Sequence, residues 1–425
     1  MNDDPTCEIE YANSPALKVL MGREPVLGRQ QNLVGHEILF RSNSVHSDPL
    51  RQQLDISNML EHAAEAGMEH LAGNGLGFVT ATASFLEGDS VLFLPQKNFI
   101  IILPAALEVT DALILRIAEL RRIGFRFALD QNQLNTPNGL RLLAQAEIIR
   151  VELPPPPQLL TLDPEQLRRC KMGQIHLFAQ QVQEVAQFEH CMRLGFDYFS
   201  GTFYSRPVFL ENIKFSAAQL IIIKALELLN QDADDNQIEQ AIKRDAVIAL
   251  TILKHVNSAS AGVTQRIGSL KQAIQIVGRA KLTSWLEVML YEKPNGQANG
   301  AALFTLATSR AKLLELLACS QLPHRKIAPD IGFIVGLMSM MDTLFGMPMA
   351  DVLEKIPVYA EVRLALLERK GTYGQLLQVV EYLEQLTLAE PPLDLLLPML
   401  EQLHVPLEEL YALQRQVFIW VSQLD

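Results

Sequence analysis

The chain has 425 residues, 49% of them apolar and 20% charged, with a formal net charge of −12. That length predicts about two or three domains, and the apolar share predicts well-buried cores and excludes extensive disorder. The acidic balance excludes a generic polyanion binder, so no nucleic-acid partner is expected; a local basic pocket for a small phosphorylated ligand stays compatible with it.

The N-terminal stretch MNDDPTCEIE is acidic and lacks the basic-then-apolar pattern of a signal peptide. Short β-rich runs follow, separated by helical patterns. The runs are LVGHEILF, LGFVTA, NFIIILP, FRFALD, EIIRVEL, QIHLFA and DYFSGTFYS. Between them, residues 54–71, 111–124, 138–145 and 181–194 carry apolar positions at three- and four-residue spacing. Runs such as FIIILP show no alternation, as strands buried on both faces do. Repeated strand–helix units predict a TIM-like (β/α) barrel. Pro154 to Pro157 reads as a stiff loop at a strand end.

Near Arg206-Pro207 the pattern changes, and strand signals nearly vanish. Helices are predicted over 216–230, 236–244, 247–258, 269–277, 280–291, 302–320, 330–345, 349–355, 360–368 and 373–385. This half reads as an all-α domain. The acidic turn QDADDNQ reads as a solvated loop that favours the start of the next helix. Met338, Met340, Met341, Met347 and Met349 read first as core filling, and Asp245 and Asn257 as helix-end ties. The most apolar run, Ile331 to Met341, is too short for a membrane span of roughly 20 residues. Cys7, Cys170, Cys191 and Cys319 form no CxxC, so reduced thiols, a cytoplasmic location and no membrane partner are expected.

In a (β/α) barrel, chemistry sits at the C-terminal ends of the strands. The run ends supply Glu37 and Arg41, Thr80 and Thr82, Ile101, Ile102 and Pro104, Asp130 with Gln131 and Asn132, Arg150 and Glu152, and Gln180 and Gln183. Three widely separated acids among amides and aliphatics make a poor site for two hard cations. Arg41 and Arg150 suit phosphate. Glu37 and Arg41 read first as a structural ion pair and second as part of a ligand site.

The series GREPVLGRQQNLVGHEILFR, FVTATASFL, LPQKNFIIILP, GFRFALD, EIIRVEL and LGFDYFSGTFYSRP resembles, in its order, the EAL domain, the phosphodiesterase fold that linearises cyclic di-GMP. The resemblance covers residues 20–210. Glu37, Leu39 and Arg41 match the opening Glu-x-Leu-x-Arg motif of active members. Carried across from the family, the metal-ligand asparagine falls at Thr80 and the third-run glutamate at Ile101. The Asp-Asp pair becomes Asp130-Gln131, the catalytic lysine Arg150, and the aspartate after it Glu152. Two further glutamates fall at Gln180 and Gln183. Glu37, Leu39, Arg41, Asp130 and Glu152 are therefore expected to be a vestigial EAL site, with Arg41 and Arg150 as phosphate contacts.

Residues 211–415 resemble the HDOD domain, a relative of the HD-type metal phosphohydrolases, through IKRDAVIALTILKHVNSAS, IGSLKQAIQIVGRAKL and DIGFIVGLMSMMDTLFGMPM. No His-Asp doublet occurs in the chain, and His255, His324 and His404 lack ligand spacing. The two resemblances together imply a bacterial signalling protein of the cyclic di-GMP network. They lead us to expect a chain without catalysis, metal or cofactor that acts as a scaffold through regulatory protein partners. A metal-independent cyclic di-GMP sensor and a weak phosphodiesterase are the alternatives.

Overall fold

A computed structural model describes residues 19–42, 60, 75–160, 174–206, 215–256, 269–291, 300–356, 358–388 and 395–421. The chain divides into two compact units. One takes Pro207–Glu381 with the first seven residues, and the other takes Glu8–Arg206 together with Tyr382–Asp425.

The second unit is built on a closed barrel of β1 (Val19–Gly28), β2 (Leu33–Ser42), β3 (Leu76–Thr80), β4 (Phe99–Leu103), β5 (Arg126–Asp130), β6 (Ile148–Glu152), β7 (His176–Val182) and β8 (Tyr198–Gly201). The TIM-like barrel is as expected, with one departure. Seven strand runs are read in the sequence, and the eighth strand, β1, is antiparallel to both of its neighbours, β2 and β8. The remaining pairs are parallel. Val26, Phe78, Ile100, Ile102, Ala128, Ile148 and Phe178 fill the barrel interior. The described barrel helices are α1 (Ala83–Glu87), α2 (Asp111–Arg122), α3 (Pro137–Leu142) and α4 (Val185–Leu194). Thr82, Thr110 and Thr136 cap the first three by accepting from a backbone N–H three residues on. The helical pattern at 54–71 lies outside the described residues apart from Leu60, and α4 starts later than its pattern because Gln181 and Val182 belong to β7.

The helical unit contains α5 (Ala217–Asn230), α6 (Asp235–Ile242), α7 (Ala246–Val256), α8 (Leu270–Val277), α9 (Arg279–Tyr291), α10 (Gly300–Gln321), α11 (Ala328–Met338), α12 (Met341–Phe345), α13 (Met349–Lys355) and α14 (Ala360–Glu368). These follow the predicted helices closely; one predicted helix, 330–345, is split at Ser339 and Met340. Ser216 and Gln219 form a reciprocal capping box on α5. Asp245 accepts from Val247 and Ile248 at the start of α7, the helix-end role expected of it; Asn257 lies outside the described residues. The acidic turn is tied down by Asp234, which accepts from the Asn236 N–H, and by Arg279, which binds Asp235 at 2.8 Å.

The helix α15 (Gly371–Leu388) runs across the boundary between the units, and α16 (Leu396–Gln402) and α17 (Leu407–Val421) group with the barrel.

The core of the helical unit is tight. A Cβ at Gly336 of α11 would stand 2.5 Å from the Ala311 Cα of α10, so glycine permits this helix pair to approach. Met338, Met340, Met341 and Met347 are buried, in line with core filling. Ala328–Phe345 has the length and apolarity of a membrane span, yet 78% of it is buried within the fold. Cys191 is free and buried. Cys319 is disulfide-bonded, which corrects the expectation of reduced thiols throughout.

One group in this core is at odds with its surroundings. Glu287 is 2% exposed, its Oε2 has no hydrogen-bond partner, and burial drives its carboxyl well above the ordinary value of 4.5. An acid raised in this way keeps its proton on folding, so it opposes stability increasingly as pH climbs from the unfolded value towards the folded one. Glu287→Gln removes that opposition. Its stability advantage over the parent chain is expected to be absent near about pH 4 and to widen by up to about 1.4 kcal/mol per pH unit above it. Urea denaturation of both chains across this range measures it.

Candidate functional site

Successive residues of a strand face opposite sides, so the residues that fill the barrel interior fix which others share it. Two positions beyond Ala128, Ile148, Phe178 and Tyr198, towards the C-terminal ends of the parallel strands, stand Asp130, Arg150, Gln180 and Ser200. On antiparallel β1 the same step runs backwards from Val26, to Glu24, which sits directly across from Glu37 of β2. An apolar floor therefore gives way to a polar layer at the mouth. The same alternation places Ile102, level with Thr80 and Ala128, on the inner face, whereas Ile101 pairs with Val79 and Phe127 outside it. Ile102, one residue beyond Ile101, is therefore the β4 residue that shares the inner face with Thr80 and Ala128.

Glu37 is fully buried. Arg150 Nη1 donates to its Oε1 at 3.0 Å and Gln180 Nε2 to its Oε2 at 3.3 Å. The other arm of the Arg150 guanidinium reaches Asp130 Oδ2 at 3.7 Å, while Asp130 Oδ1 accepts from the Asn132 N–H at 2.9 Å. Glu37 does have an arginine partner, and it comes from β6. Arg41 lies on β2 opposite Leu20, its side chain outside the described part of the structure. Leu39 is half-buried on the same strand, and Glu152 is exposed at the end of β6. The structure brings Glu37, Asp130 and Arg150 together and leaves Leu39 and Glu152 apart from them.

A bulge shapes the mouth beside Gln180. The β7–β8 register shifts between Ala179 and Val182, and Gln181 takes a φ of 59°. Across from it, Gly201 has a φ of +135°, and a Cβ there would stand 2.1 Å from the Val182 carbonyl oxygen. Glycine is what the crossing permits, and the bulge re-aims the side chains around it.

Two acids inside the barrel compete for protons. Burial raises the Glu37 carboxyl, against the lowering pull of Arg150 and Gln180. Burial, and then the nearby charge of Glu37, push Glu24 well above the ordinary range, opposed by Ser200, Arg150 and the Gly201 backbone. Glu24 is the member that keeps its proton, because the guanidinium binds Glu37 directly. Sequence reasoning missed Glu24 and Ser200. The alternation Glu24–Val26 within GREPVLG was the available signal, and it speaks only once β1 is known to be a barrel strand.

Two divalent ions need several oxygen ligands carrying most of the balancing charge. Here both Glu37 oxygens are spent on protein donors, and Asp130 is divided between a turn and Arg150. Thr80, Ile102 and Gln180 bring no charge. Among the described residues, no group of three or more His, Cys, Asp or Glu is placed to hold an ion. This donor set does not fit a two-metal centre.

Comparison with known proteins supplies the context. Residues 218–357 match the HDOD domain. "Uncharacterized protein YuxH" of Bacillus subtilis is 25% identical over 380 residues, covering 87% of this chain and 91% of that protein. "Cyclic di-GMP phosphodiesterase CdgJ" of Vibrio cholerae is 24% identical over 373 residues, covering 86% of this chain and 84% of that one. Among solved structures, an EAL domain protein from Listeria monocytogenes aligns at 14% identity and a TM-score of 0.36, over 44% of this chain and 88% of its own. The EAL-domain protein YkuI of Bacillus subtilis aligns at 15% identity and a TM-score of 0.36, over 61% of this chain and 73% of its own.

The Vibrio cholerae relative carries the name of a cyclic di-GMP phosphodiesterase. That name corrects the expectation of a chain without catalysis. A relative matched over 86% of this chain carries it, so the uncharged side chains of Thr80, Ile102 and Gln180 do not establish a dead barrel.

The Glu37–Arg150 pair carries a stability consequence. Arg150→Ala leaves a fully buried carboxylate facing no cation, at an expected cost of about 3–5 kcal/mol. Glu152→Ala, at an exposed position, is expected within about 0.5 kcal/mol of the parent. Urea denaturation of the two variants separates them, and the Arg150→Ala deficit is expected to shrink as pH falls and Glu37 takes up a proton.

Proposed function

We propose that this EAL–HDOD protein works in the cyclic di-GMP network by binding the dinucleotide at the mouth of its barrel, with Arg150 as the cation that meets a phosphate. Its HDOD half passes the bound state to regulatory protein partners. The carrying observation is the position of Arg150. It stands at the C-terminal end of a barrel strand, 13% exposed, with a buried Nε that has no hydrogen-bond partner. A guanidinium suits a phosphodiester because its fork matches two oxygens at once. Arg41 is the second arginine assigned to this role, by its place in the Glu-x-Leu-x-Arg motif.

A second reading, that the bound dinucleotide is also cut, is favoured by the name of the Vibrio cholerae relative. Glu37 is the residue on which that reading turns, since it is the motif carboxylate inside the mouth.

Both readings are tested on the purified full chain. Calorimetric titration with cyclic di-GMP is expected to give saturable binding that Arg150→Met weakens by at least about tenfold, or about 1.4 kcal/mol. Silence at high micromolar ligand contradicts the proposal. Incubation with cyclic di-GMP and Mg²⁺ or Mn²⁺ separates the two readings: linear product that disappears in Glu37→Ala supports turnover.

A further inference from the structure

The disagreement between the mouth and a two-metal centre has a specific form. The charge that a divalent ion would bring is already present, on a side chain. Arg150 reaches both retained acids from one guanidinium, Glu37 at 3.0 Å and Asp130 at 3.7 Å, and Gln180 completes the coordination of Glu37. Hard cations and guanidinium compete for the same carboxylate lone pairs. An ion entering here would have to strip a buried, charge-assisted hydrogen bond from Glu37 and place its own charge beside a fixed cation.

We propose that Arg150 is an internal cation standing in for a divalent ion at the barrel mouth, and that removing it turns the Glu37–Asp130 pair into a divalent-cation site. The mouth then takes a phosphodiester without metal, because the guanidinium supplies the positive charge and the donors. The metal half of this inference is independent of the proposed ligand; only the ligand half rests on the reading of the barrel as a cyclic di-GMP site. Arg150 would thus be a specificity-determining residue that sets which kind of cation the acids hold.

The test uses Mn²⁺ as the probe, on the full chain, by calorimetry and by thermal denaturation. The parent is expected to show no saturable Mn²⁺ binding at the mouth. Arg150→Ala and the bulkier Arg150→Gln are expected to gain saturable Mn²⁺ binding, with a melting temperature that rises by several degrees on adding it. Adding Glu37→Gln to either neutral variant is expected to abolish the gain. Saturable Mn²⁺ binding by the parent that Glu37→Gln removes would overturn the inference. So would a folded neutral variant with no gain.

A second arm titrates cyclic di-GMP into the parent with chelator and with Mn²⁺. Equal affinity in the two supports the inference, and binding that collapses in chelator overturns it. Silence in both strikes at the ligand assigned to the barrel, while the Mn²⁺ arm judges the internal cation on its own.

Discussion

The Arg150 guanidinium holds Glu37 with one arm and reaches Asp130 with the other, inside a barrel whose floor is hydrocarbon. Strands β2, β5 and β6 meet at that group, so the polar layer of the mouth depends on it. Without the cation, two acids would face an apolar interior, and Glu24 already stands across from Glu37 on β1. Burial raises both glutamates, and Glu24 the more, since the nearby charge of Glu37 adds to it. The one guanidinium serves Glu37 directly and Asp130 at longer range, while burial pushes Glu24 towards its neutral form.

This arrangement also decides what the mouth can bind. A carboxylate that is committed to an arginine is a weak ligand for an incoming ion, while the arginine still has an N–H unspent. The chemistry at the mouth therefore follows from where the cation is built in. A barrel mouth can hold a buried glutamate in a different electrostatic state from a metal ligand. A relative matched over 86% of this chain is named as a phosphodiesterase, and here the arginine is the feature against which any activity must be understood.

Much of this was legible in the residues. Alternation of strand and helix signals gave the barrel, and three- and four-residue spacing gave the helices of the second unit, because local burial periodicity is what both patterns record. The first strand was harder. VLMGREPVLG carries two charges and a proline and pairs antiparallel on both sides, so neither a continuous apolar run nor a βα unit marks it. Glu24 went unread with it. At the mouth, the type of each residue was readable but its partner was not. Glu37 and Arg41 lie four apart on one strand, yet the arginine bound to Glu37 is 113 residues away on β6. Closure of the barrel creates that contact, and no spacing encodes it. The one-residue difference between Ile101 and Ile102 has the same origin, since register is a property of pairing between strands.

The most direct measurement is a crystal of the full chain grown with cyclic di-GMP and Mn²⁺. The expected result is a phosphate oxygen within hydrogen-bond reach of the Arg150 guanidinium, Glu37 still bound to the same side chain, and no ion between Glu37 and Asp130. A Mn²⁺ ligated by those two carboxylates, with Arg150 swung away, would contradict it.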